Sequence, residues 1–143
     1  RTAARELGGR CFVSFQPIKN RRDILAFLDA VNGLHDGFIV SVGYEHAGFT
    51  WGNPMLVDPS KAVLTLRIMV TSIHNTLVEL RFEGVHEWQL KNDPSGLPEA
   101  AVWFTPQGLV AWCSDATASP DMLRDADYVL AEDLRWRIVP PKS

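Results

Sequence analysis

From Gly37 onward the apolar residues of this chain return at every second position, in one run after another, with no clear helical stretch between the runs. Phe38, Val40, Val42 and Tyr44 alternate with Ile39, Ser41, Gly43 and Glu45. Leu64, Leu66, Ile68 and Val70 alternate with Thr65, Arg67, Met69 and Thr71, and Val78, Leu80 and Phe82 follow. Successive side chains of a strand point to opposite faces, so a period of two marks a sheet with one buried face. Strands that follow one another without intervening helices pair antiparallel.

One segment breaks this rule. Ile24, Leu25, Phe27, Leu28, Val31 and Leu34 recur at helical spacing, which predicts a helix over 21–33 with a single apolar face. Asn20 is the expected N-cap, Asp23 favours the positive end of the helix dipole, and Gly33 is the natural stop. Ahead of the helix, 11–15 reads as a short strand ended by Pro17, and 1–10 as a flexible lead-in. Beyond it, 46–61 reads as a long loop and His74-Asn75 as a turn. Gly84 either bends a strand that continues through Leu90 or divides two strands. Ala100–Phe104 and Leu109–Cys113 read as a hairpin across Thr105–Gly108, 115–133 as an acidic loop with a helical turn near Pro120, and Leu134–Val139 as the closing strand. The expected fold class is α+β: one N-terminal helix packed on a curved, mainly antiparallel sheet of six to seven strands.

At 143 residues the chain suits a single domain spanning 1–143, long enough to fold on its apolar core without a disulfide or metal. Cys11 and Cys113 both lie in apolar, strand-like runs, where a free cysteine acts as a small buried hydrophobe. Two cysteines make no disulfide framework, which points to the cytoplasm. No apolar run approaches the ~20 residues that span a bilayer, and no signal-peptide pattern is visible. The chain opens at Arg1 rather than Met, compatible with a trimmed leader. The net charge of −3 is unevenly spread. Residues 1–22 hold six cationic side chains against Glu6, a balance of +5, and the remainder holds eight against sixteen acidic ones, a balance of −8. Such a field opposes nucleic-acid binding and favours a basic protein partner. The oligomeric state is left open.

The motifs of chemistry are few. His35-Asp36 sits between helix and strand, where sites gather, and with Trp51 it forms the candidate ligand site. Its plainer reading is that Asp36-Gly37 makes a turn and His35 packs locally. His46, His74 and His86 are too dispersed for the close spacing of a zinc site. Cys113-Ser114-Asp115 could place a nucleophile beside a carboxylate, but no linked histidine supports it. Glu79, Glu83 and Glu87 fit a solvated strand face better than an acid–base pair. Glycine-rich phosphate loops and nucleophile elbows are missing, so no cofactor or metal is expected. Five tryptophans are many for this length, and they either fill the core or mark a contact surface, Trp51 in the long loop above all. The acidic residues Asp115, Asp121, Asp125, Asp127, Glu132 and Asp133 form the candidate partner surface.

Leu34-His35-Asp36, a strand, leucine-rich alternation and then Leu80-Arg81-Phe82-Glu83-Gly84-Val85 resemble a pattern of uncharacterised small bacterial domains, some of them like the immunity proteins of toxin systems. The resemblance covers about residues 34–90 and implies inhibition of a cognate toxin by surface binding rather than catalysis. Three readings of function follow, the last of them a purely structural or oligomerisation module. The first is a non-enzymatic protein-binding domain using the acidic surface. The alternative is a small-molecule-binding domain or enzyme with its site at the helix–strand junction.

Overall fold

The computed structural model describes residues 12–46, 49–50, 56–58, 61–91, 95–117 and 126–140. Among these described residues there are one α-helix, α1 (Arg21–Ala30), and nine strands: β1 (Gln16–Pro17), β2 (Gly37–His46), β3 (Phe49–Thr50), β4 (Leu56–Val57), β5 (Ala62–Val70), β6 (Thr76–Gln89), β7 (Ala101–Phe104), β8 (Val110–Cys113) and β9 (Tyr128–Ile138). Seven strands form one sheet in the order β2-β5-β6-β9-β8-β7, with β1 on the free stretch of β9, and β3 pairs with β4 separately. All these pairings are antiparallel. No helix among the described residues is long and apolar enough to cross a membrane.

The register shows how alternation becomes a core. Leu64, Leu66 and Ile68 of β5 lie opposite Phe82, Leu80 and Val78 of β6, which in turn face Leu134, Trp136 and Ile138 of β9. Each of these is fully or almost fully buried, and together they make one cluster with Ile24, Phe27 and Ala30 of α1. Phe12 and Phe27 both pack against Trp136, at ring-centroid separations of 4.8 Å and 5.2 Å. Trp112 is likewise buried and meets Phe82 edge-on, whereas Trp88 is partly exposed. The opposite sheet face carries charge. There Arg67, Glu79 and Arg137 align across three strands, and the Glu79 carboxylate accepts from Arg67 Nε (3.3 Å) and Arg137 Nε (2.5 Å). Glu79 is thus a buried ion-pair partner, not the solvated side chain expected.

Asn20 caps α1 as expected: its Oδ1 accepts from the Asp23 N–H, while the Asp23 carboxylate accepts from the Lys19 N–H. The helix ends at Ala30, three residues before the expected 33. Asn32, Gly33 and Leu34 then take φ of 52°, 61° and 58°, a single left-handed turn. Leu34 is fully buried there. That burial contributes about 1.5–3 kcal/mol, enough to offset the roughly 1–2 kcal/mol that a left-handed residue other than glycine costs. Leu25, expected on the apolar face, is instead exposed.

Two other expectations change, and of the two readings offered for Gly84 the bent strand holds. Pro17 belongs to a strand rather than ending one, because β1 occupies an edge where a missing N–H is tolerated. Residues 128–133 are strand rather than acidic loop, because Tyr128 to Ala131 pair with β6 on one side and β8 on the other. Gly84, at φ 66°, bends one continuous β6, with a bulge between Val85 and Glu87. The helical turn expected near Pro120 lies outside the described residues.

Candidate functional site: an acidic cleft at the helix–strand junction

After β6 the chain crosses to β7 and passes the start of β2. Leu97 pairs with Gly37. The Leu97 N–H donates to the Gly37 carbonyl (2.8 Å), and the Asp36 N–H donates to the Leu97 carbonyl (3.0 Å). The Ala100 N–H donates to the Gly33 carbonyl (2.7 Å), tying the left-handed turn to the same crossover. Behind it, the end of β8 and the start of β9 are joined by Ser114 and Asp127, whose backbone and hydroxyl groups bond reciprocally at 2.9 Å and 3.0 Å. Between these segments lies a cleft of about 290 Å³.

Its lining includes Asp36, Lys91, Ser114, Asp115 and Asp127. Asp127 is almost fully buried, and its Oδ1 accepts from the Lys91 N–H at 2.6 Å. Asp115 Oδ1 accepts from the Thr117 hydroxyl (2.7 Å) and N–H (2.9 Å). These two bonds, the hydroxyl's first, hold the Asp115 carboxyl below the ordinary carboxylate range. Asp36 projects from the rim at φ 60°. Its carbonyl accepts from the Thr71 hydroxyl (2.9 Å), and its carboxylate stands 3.5 Å from His35 Nε2. His35 is itself clasped, since its Nδ1–H donates to the Pro98 carbonyl and its own carbonyl accepts from the Ser72 hydroxyl.

The two groups of residues singled out in the sequence therefore meet in part. Asp36 from the ligand-site set shares the cleft with Asp115 and Asp127 from the partner-surface set, and His35 stands at the rim. Glu132 and Asp133 are elsewhere. Glu132 accepts from or pairs with His86 Nε2 at 3.0 Å, and Asp133 binds Lys19 and Arg135. Trp51, Asp121 and Asp125 lie outside the described residues. Sequence reasoning missed Lys91 and the role of Ser114. Lys91 carries no local signal, and Ser114 was noticed only as the neighbour of Cys113, whose thiol burial pushes up and away from reactivity. Among the described residues no group of three or more His, Cys, Asp or Glu is gathered closely enough to hold a metal ion. Compared with family models, curated proteins and solved structures, the chain matches none.

Proposed function

We propose that this chain is a non-enzymatic protein-binding domain whose cleft receives a basic side chain of its partner. The observation that supports this reading is that Asp36, Asp115 and Asp127, from three separate chain segments, line one cleft with Lys91, the one cation of the lining among the described residues. A guanidinium suits such a site because its fork of N–H donors can engage two carboxylates at once. The cleft is mainly polar, whereas typical small-molecule sites are mostly apolar, and its volume stands at the bottom of their range of about 300–1,000 Å³. Acidic charge at its mouth would speed encounter with a basic surface. In keeping with the immunity-like resemblance, the domain acts by covering its partner, in a bacterial cytoplasm.

Biolayer interferometry against the purified products of neighbouring genes tests this. One basic product should bind, and its association rate should fall steeply between about 50 mM and about 500 mM salt. The double variant Asp36→Asn/Asp115→Asn should slow association about tenfold. Binding that ignores both salt and these substitutions, or no binding at all, would overturn the reading. A small-ligand site at the helix–strand junction is the second reading, favoured by Asp36 lining the cleft beside His35. It requires that small amines raise the melting temperature of the wild type and not of Asp36→Asn.

A further inference from the structure

We infer that the outer edge of β2 is a docking edge for an extended segment of the partner protein, which pairs with β2 and delivers its basic side chain into the cleft. The inference rests on the cleft reading above and adds the shape of what enters it.

β2 is the terminal strand of the sheet, and among the described residues its outer edge pairs only at Gly37, with Leu97. Among the described residues no strand pairs with this edge from Phe38 to His46, and an edge of that kind is the template on which another strand can form. Natural edges are commonly blunted by lysine or proline. Gly37–His46 contains neither, and no arginine; what interrupts the edge is one irregularity between Ile39 and Ser41 and one charge, Glu45.

The side chains of β2 point the same way. Val42 and Tyr44 lie opposite Leu66 and Leu64, which are fully buried, yet they remain 47% and 45% exposed. Val40 is 58% exposed. Tyr44 packs on the partly exposed Trp88 with ring centroids 5.4 Å apart, extending this apolar surface onto β6. Exposed aromatic and branched side chains on an open strand edge are what an added strand would cover.

What ends the edge selects the occupant. The strand-like contact stops at Leu97, and Gly96 and Leu97 line the cleft together with Asp36, the residue before β2. A segment laid along β2 thus runs toward a cleft whose described lining holds Asp36, Asp115, Asp127 and Lys91. Charge complementarity calls for a chain of alternating apolar residues with Arg or Lys at the end that reaches the cleft.

The experiment is selection of a phage-displayed random peptide library on the intact immobilised chain, followed by hydrogen exchange with the selected synthetic peptide bound. The selected sequences should alternate apolar residues and carry a terminal Arg or Lys. Binding should slow exchange of amides within 38–46 at least tenfold. The edge variant Val42→Lys/Tyr44→Glu and the cleft variant Asp36→Asn/Asp115→Asn should each weaken the peptide at least tenfold. Unchanged exchange in β2, or failure to select any peptide, would overturn the inference, and neither result depends on a variant folding. The two layers separate cleanly. Loss of affinity in the cleft variant alone, with β2 exchange unchanged, retains the cleft and refutes the edge. Protection of β2 that the cleft variant leaves intact retains the edge and refutes the basic end.

Discussion

Gly37 opens β2 at the rim of the cleft, and a Cβ added there would stand 2.7 Å from the Leu34 carbonyl oxygen and 2.9 Å from Ile68 Cγ2. Both approaches are well inside van der Waals contact. The first atom belongs to the backbone of the left-handed turn, which hydrogen bonds to Val31 and Ala100 hold in place, so it cannot swing aside as a side-chain tip would. The second belongs to a fully buried residue. Gly37→Ala should therefore cost about 1–3 kcal/mol, the range for overpacking a filled site. Gly43 supplies a control in the same strand, because nothing lies within 4 Å of a Cβ added there. Gly43→Ala should gain about 0.4–1 kcal/mol by restricting the unfolded chain. Urea unfolding followed by tryptophan fluorescence reads both. With m of about 1–3 kcal/mol/M, the two midpoints should differ by roughly 1 M. If Gly37→Ala is as stable as Gly43→Ala, the close packing of β2 against the left-handed turn is refuted.

Glu79→Ala leaves Arg67 and Arg137 without their shared carboxylate and should destabilise by about 1–3 kcal/mol, discounted for the part exposure of both arginines; a change under about 0.5 kcal/mol in urea unfolding would contradict this. Burial works against the charged form of Asp133, but the hydrogen bonds and charges of Lys19 and Arg135 outweigh it and hold its carboxyl below the ordinary range. With the folded value below the unfolded ~3.9, this stabilisation is present above about pH 4 and lost as pH falls through the folded value. The stability gap between wild type and Asp133→Asn should accordingly narrow below about pH 4 in urea titrations. In a Cys11→Ser background, Cys113 should react with a thiol reagent only on the timescale of unfolding, since it is buried and its thiolate disfavoured. Rapid labelling of the folded protein would contradict the buried placement.

Much of the sheet was legible because β5 and the first half of β6 are buried on one face and carry their pattern in plain alternation. The first half of β9 was not. Tyr128, Val129 and Ala131 are buried and flanked by β6 and β8, so burial on both faces removes the period of two, and the acidic residues around them suggest a loop. The end of α1 was also misjudged, because Leu34 keeps helical spacing while its backbone has already turned left-handed. At the cleft, Asp36, Asp115 and Asp127 were each visible as candidates. Their meeting was not, since it depends on the crossover after β6 reaching Gly37, a contact between residues 60 apart in sequence. No local pattern encodes a contact of that range.

The position of β9 has a consequence for how this protein comes into being. It is the last of these strands to be synthesised, yet it lies between β6 and β8 and alone joins β2-β5-β6 to β8-β7. As the chain leaves the ribosome, the two partial sheets precede the strand that unites them. Leu80 and Phe82 then wait without the Trp136 and Leu134 that will face them. Long-range pairings of this kind close slowly, and incomplete sheets with open edges are prone to stick to one another. The nascent domain therefore passes through an interval in which its centre is its most vulnerable part, and that interval ends only when residue 138 has emerged.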